Sequence, residues 1–200
     1  MKLRLFFLFA LLAGINVACA AESADKKGCR NDPDFLAAFG EPTLTARGKG
    51  PDYFAIRLVY LPTFRHPILV RYEEDGRKRV RRAVVLSGKA GYDLGEIAFQ
   101  HTDEASGTEI ADIKKGLERA RYWDLTSSDA TFGADGDTLT VEVIRNGQCK
   151  AISRWEPEHK ATARGLVPLV DLYVGLFERA AIWRDVAPMA FGKDDYVPRR

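Results

Sequence analysis

The chain has 200 residues, 46% of them apolar and 29% charged, which suits one compact domain with a buried core. Its 30 basic residues face 28 acidic ones. If Lys2 and Arg4 leave with an N-terminal leader, the balance is even, and that excludes a general polyanion binder, which carries a broad positive excess.

Residues 1–20 have the form of a signal peptide. Lys2 and Arg4 give a positive start, residues 5–13 are unbroken apolar, and Ala18-Cys19-Ala20 is a small-x-small cleavage site. The apolar run is shorter than the ~20 residues a spanning helix needs, so no transmembrane segment is expected after signal removal. Cys19 leaves a second route open, lipidation after Asn16-Val17-Ala18, with Asn16 where a leucine is usual. Either route predicts an exported protein, periplasmic or secreted in the first case and lipid-anchored through Cys19 in the second. Both remove Cys19 from the thiol count. Cys29 and Cys149 remain, an even pair in an oxidising compartment, and a Cys29–Cys149 disulfide is the expectation. A nucleophilic Cys149 would need a free thiol and a nearby base, and only His159 lies near it in sequence.

Residues 21–50 read as an N-terminal arm. Asp32-Pro33 starts a short helix carrying Phe35, Leu36 and Phe39, and Gly40 stops it. Residues 41–51 hold Pro42, Gly48, Gly50 and Pro51 and read as a loop. A single domain is expected over residues 51–183. Its first strand, residues 53–61, alternates Phe54, Ile56, Leu58 and Tyr60 on one face with Arg57 on the other. Pro67 opens a second strand, Asp75-Gly76 is a two-residue hairpin turn, and the chain returns over residues 77–86. Residues 96–101 are a further short strand. Residues 108–121 form the clearest helix, with Ile110, Ile113, Leu117 and Ala120 in one stripe and Gly116 weakening it. Tyr122, Trp123 and Leu125 follow as a docking cluster. Residues 138–144 and 148–155 make a second hairpin around Asn146-Gly147. Residues 160–182 read as a second helix, which Pro168 either kinks or starts. Residues 184–200 are a C-terminal tail. The fold class is therefore α+β: a mainly antiparallel sheet built from hairpins, with two principal helices packed on one face.

Gly133, Asp135-Gly136, Glu142, Asn146-Gly147 and Arg154-Trp155-x-Pro157 resemble a signature in a group of uncharacterised exported bacterial proteins. That signature reads Gly-x-Asp-Gly, a nearby Trp, Leu-Glu, an Asp/Asn-Gly turn with Tyr-His, and Arg-Trp-Ser-Pro. A phrase like Tyr122-Trp123-Asp124-Leu125 commonly precedes it. Here Leu139 replaces the Trp, Val141 the Leu, Cys149 the Tyr, Lys150 the His and Glu156 the Ser. The resemblance spans about a third of the mature chain and implies a shared fold. The group carries no known reaction, so it supplies no catalytic residue.

The same residues also have a structural reading. A two-residue loop at Asn146-Gly147 sets Glu142 opposite Ala151 and Leu139 opposite Arg154, so Glu142 and Arg154 point to opposite sides of the sheet. They are kept as candidate binding residues beside the basic run of residues 77–82. On a strand, Arg77, Arg79 and Arg81 share one face, and Lys78, Val80 and Arg82 the other. The run is either an edge strand guarded by charge or a contact for an anionic envelope component or an acidic protein. Nucleic acid is not an expected partner, because the run lacks stacking aromatics.

Asp135-Gly136-Asp137 offers two acids where a calcium loop needs more, and His66, His101 and His159 lack ligand spacing, so no metal is expected. No phosphate loop, dinucleotide fingerprint or Gly-x-Ser-x-Gly turn is present, and neither a cofactor nor a catalytic residue is assigned. The leading expectation is a non-enzymatic exported binding protein. The alternatives are an envelope hydrolase assembled from Glu142, Arg154 and His101, or an inhibitor or immunity-type protein that presents the basic hairpin.

Overall fold

The computed structural model describes residues 28–29, 33–47 and 50–180. The leader, Cys19, the cap at Asp32 and the C-terminal tail lie outside the described residues. Short helices α1 (Pro33–Ala38) and α2 (Leu44–Arg47) come first, then strands β1 (Phe54–Pro62), β2 (Ile68–Asp75), β3 (Lys78–Leu86) and β4 (Ile97–Glu104). Helix α3 (Gly107–Arg119) leads through a single 3₁₀ turn at Tyr122–Asp124 to β5 (Asp137–Arg145), β6 (Gln148–Trp155) and helix α4 (Val167–Arg179). The six strands form one antiparallel sheet in the order β4-β3-β2-β1-β5-β6. This is the α+β class that the hairpin pattern predicts.

Strand alternation builds two cores. On one face Phe54, Ile56, Leu58 and Tyr60 of β1, with Val70, Tyr72, Leu139, Val141 and Val143, pack against Ile110, Ile113 and Leu117 of α3 and Leu169, Tyr173, Leu176 and Phe177 of α4. Helix α3 begins in a capping box: the Ser106 hydroxyl accepts from Glu109 N–H while the Glu109 carboxylate accepts from Ser106 N–H. Tyr122 is wholly buried and donates its hydroxyl to the Val141 and Lys150 carbonyls, which docks the 3₁₀ turn on the second hairpin.

The opposite face is covered by the N-terminal arm. It carries two separate apolar clusters, Phe39 with Val59, Leu69, Val84 and Leu86, and Cys29, Leu44, Tyr53, Ala55 and Ile144. The Cys29–Cys149 disulfide joins the arm to β6, with Cα atoms 5.2 Å apart. Closing a loop of 120 residues constrains the unfolded chain by about 4–5 kcal/mol in the chain-entropy model.

Local differences from the sequence reading have physical causes. In the first hairpin Asp75 pairs with Lys78, so Gly76 and Arg77 make the turn, one residue later than expected. Both Asp75-Gly76 and Gly76-Arg77 satisfy turn chemistry, and the register is decided by pairing Val70 with Ala83 across the core. Strand β4 runs on to Glu104, and α4 begins at Val167, with Pro168 in its first turn. The residues ahead of α4 form turns around Lys160 and Gly165, both at positive φ.

Candidate functional site

The second hairpin has the expected register: Asn146 and Gly147, both at positive φ, make the turn, and Leu139 faces Arg154 while Glu142 faces Ala151. Glu142 and Arg154 thus lie on opposite sides of the sheet. Arg154 is on the helix side, 2% exposed, and donates to the carbonyls of Ser153 and Thr126, with Asp129 3.8 Å away. Burial lowers its pKa, and Asp129 only partly opposes that. His101 is exposed on β4, 3.6 Å from Asp103. The structure does not bring Glu142, Arg154 and His101 together: β3, β2 and β1 separate His101 from Glu142, and the sheet itself separates Glu142 from Arg154.

In the basic run, Arg79 and Arg81 share one face as expected, here the helix side, while Arg77 lies in the turn; both strand arginines are held in ion pairs. Arg79 pairs with Glu74 at 2.8 Å, and Arg81 pairs with Asp103 and with Glu109 of α3 while donating to the Arg179 carbonyl. Asp103 is held below its ordinary value by the hydrogen bond from Arg81. Burial pushes Glu74 up, and hydrogen bonds from Lys114 and Arg79 outweigh it, so Glu74 also sits low. Arg77 and Lys78, at the tip, are the exposed cations of the run.

Glu142 leads to a feature absent from the sequence reading. Strand register aligns Glu142, Arg57, Arg71 and Arg82 in one row across β5, β1, β2 and β3 on the arm side. Arg57 is fully buried and donates from Nε to Glu142 at 2.6 Å, and its Nη1 donates to the Pro42 carbonyl at 2.7 Å. Glu41 of the arm, 5% exposed, lies 2.8 Å from Arg71 Nε, 2.8 Å from Arg82 Nε and 3.9 Å from Arg57 Nη1. Glu73 pairs with Arg71 and with Arg47. This charged seam is what splits the arm-side core into two clusters. Burial pushes the nearby Tyr53 phenol up to about 12, with Glu73 adding to the effect.

A second feature lies at the end of the sheet where β1, β3 and β6 finish. Three loops, residues 63–67, 87–96 and 125–136, are stitched together there. Thr63 N–H donates to the Gly136 carbonyl, Gly136 N–H to the Thr63 hydroxyl, Gly91 N–H to the Thr63 carbonyl and Ala90 N–H to the Arg65 carbonyl. His66 joins them: its Nδ1 donates to the Gly88 carbonyl at 2.9 Å. Phe64 and Tyr92 touch at this end, ring centroids 6.1 Å apart, yet are 53% and 73% exposed; Phe132 of the third loop is 86% exposed. An open hollow of about 310 Å³ beside them is lined by Thr63, Phe64, Arg65, Gly136, Asp137 and Glu156.

The signature residues act as framework here. A Cβ on Gly133 would meet Trp155 at 2.4 Å, and one on Gly136, at φ +135°, would meet Glu156 at 2.5 Å and Trp155 at 2.7 Å. Trp155 donates its indole N–H to the Asp135 carbonyl. Asp137 and Glu156 lock the loop to the hairpin end: Glu156 N–H donates to the Asp137 carbonyl, and Asp137 N–H to the Glu156 carboxylate. The Asp137 carboxylate accepts from Tyr60. Among the described residues, no group of three or more His, Cys, Asp and Glu side chains is arranged to hold a metal ion.

Set beside known proteins, the chain matches no family model, and no curated protein matches it. Among the described residues no helix is long and apolar enough to cross a membrane.

Proposed function

We propose that the chain is an exported envelope protein that acts by binding, and that its partner docks on the three-loop end of the sheet. The observation that carries this reading is the Phe64–Tyr92 pair, two large apolar rings in contact with each other and largely in water. Solvent-exposed aromatics cost free energy unless something covers them, and aromatic anchors dominate the energetics of protein interfaces. The loops that hold them are fixed by hydrogen bonds to one another, so little ordering is lost on docking. Export is supported by the leader sequence and by the Cys29–Cys149 disulfide, which suits an oxidising compartment.

The test is comparative capture from envelope extract with the wild-type chain and with Phe64→Ala/Tyr92→Ala. The double variant should keep its melting temperature and lose a partner that the wild type retains. Identical captured sets would overturn the reading. An acidic partner at the first hairpin is the second reading, favoured by Arg77 and Lys78 exposed at its tip. Its test is charge reversal at those two residues, because reversing Arg79 or Arg81 would also break folded-state ion pairs.

A further inference from the structure

The buried seam is arranged as a receptor around one carboxylate. Arg57, Arg71 and Arg82 stand side by side on three neighbouring strands, where like charges directly opposite repel. The sheet offers them Glu142, bonded to Arg57, and Glu73, bonded to Arg71. On the sheet, three cations against two anions leave one positive charge; the arm meets it with Glu41, while its Arg47 shares Glu73 with Arg71. A single Glu41 carboxylate reaches all three guanidinium groups.

The arm around Glu41 has the form of a bound peptide. Phe39 is wholly buried against Val59, Leu69, Val84 and Leu86, and its carbonyl accepts from Arg82 at 3.4 Å. The Pro42 carbonyl accepts from Arg57 at 2.7 Å. One anchor ring, one carboxylate and two carbonyls meet a hydrophobic pocket and three arginines. Local chemistry sets this geometry. Gly40, at φ +62°, closes α1 in a Schellman motif, with Gly40 N–H on the Ala37 carbonyl and Glu41 N–H on the Leu36 carbonyl. A Cβ at Gly40 would lie 3.4 Å from Arg82 Nη2. The helix stop thereby aims Glu41 at the arginine row.

We infer that the arginine row is a carboxylate-binding site and that the Phe39–Pro42 segment is its built-in occupant. The ligand class is a carboxylate, free or borne by a peptide. Guanidinium forks select oxyanions, and without Glu41 the row keeps Glu142 and Glu73 but is one carboxylate short around a buried vacancy, which favours replacement of the missing group.

The test uses the full chain with its disulfide intact. Glu41→Ala opens the space of the carboxylate, and its thermal midpoint is compared in sodium chloride and in sodium formate or acetate at equal ionic strength. Formate or acetate should raise the midpoint of Glu41→Ala saturably, while wild type and the space-filling Glu41→Gln respond alike to all the salts. At ten times its dissociation constant, the ligand multiplies the folded-to-unfolded ratio about eleven-fold. If Glu41→Ala does not fold in chloride, refolding yield from urea in acetate against chloride reads the same quantity. A second arm separates the two ligand sources. A peptide copying residues 35–43 should stabilise Phe39→Ala/Glu41→Ala, and the same peptide with Gln at position 41 should not. Rescue by acetate alone assigns a small-carboxylate site, and rescue by both assigns a peptide site. Equal responses of Glu41→Ala to chloride and acetate, or no folding in either, would overturn the inference.

Discussion

Glu142→Gln tests whether the seam is dry. The substitution keeps the side chain's size and removes its charge. Glu142 and Arg57 are 1% and 0% exposed, and Arg57 Nε donates to Glu142 at 2.6 Å. After substitution Arg57 keeps the Pro42 carbonyl at 2.7 Å and Glu41 at 3.9 Å. Removing one member of a buried pair costs about 3–5 kcal/mol, and the surviving contacts put this case near the lower figure, ~3 kcal/mol. In a chain of this size each kcal/mol moves the melting temperature by about 2–4 °C, so a fall of roughly 6–12 °C is expected. Urea unfolding at neutral pH, with the disulfide oxidised, measures the loss. The double-mutant cycle with Arg57→Met sharpens the test. The double variant should lose less than the sum of the two single losses, because no charge is left without its partner. A loss under about 1 kcal/mol for Glu142→Gln, or an additive cycle, would mean that water reaches the row and that the burial argument fails.

Three other outcomes are expected. Cys29→Ser/Cys149→Ser should lower the urea-derived stability by up to about 4–5 kcal/mol, and non-reducing peptide mapping of the wild type should recover Cys29 joined to Cys149. Gly133→Ala should cost about 1–3 kcal/mol by pushing on Trp155, and the cost should shrink in a Trp155→Ala background; an unchanged cost there would place the strain elsewhere. Asp103 and Glu74 have folded-state pKa values below their unfolded ones, so the stability they add is full above the ordinary carboxylate range near pH ~4 and is lost as pH falls below it. Melting temperature should therefore drop between about pH 5 and pH 3, less steeply for Asp103→Asn, and equal slopes would refute the assignment.

Local chemistry made much of the fold legible. Asn146-Gly147 favours one turn type, and counting outward from it places Leu139 opposite Arg154 and separates Glu142 from Arg154, as the structure has it. Gly40 reads as a helix stop and is one. The seam was not legible, because period-two alternation distinguishes two faces without saying what covers the second. Arg57 reads only as the residue on the face opposite Phe54, Ile56, Leu58 and Tyr60, and the arm covers that face. Arg82 reads as part of an exposed basic run, and Glu41 as loop. A signal was nonetheless available. Arg57 lies between Ile56 and Leu58, and Arg71 between Val70 and Tyr72, so each interrupts an apolar run of the kind that strands buried on both faces carry. Phe64 and Tyr92 were missed for another reason: nothing in either loop predicts that residues 28 apart in sequence will touch.

The arrangement of the arm suggests why charge sits in the middle of its interface. Burial of Phe39 on one side and Leu44 on the other supplies attraction, but apolar burial is non-directional and tolerates small shifts of one element over another. The seam does not tolerate them. Moving α1 along the sheet by one residue pair would take Glu41 out of reach of Arg71 and Arg82 and leave the arginine row one carboxylate short, a cost that apolar burial of the arm does not offset by itself. Cys29–Cys149 fixes the arm's far end over β6, and the Schellman turn at Gly40 fixes the direction in which Glu41 leaves α1. Covalent, conformational and electrostatic constraints therefore act at three points on one short segment. The apolar clusters supply attraction between arm and sheet, and the charges select a single position for the arm.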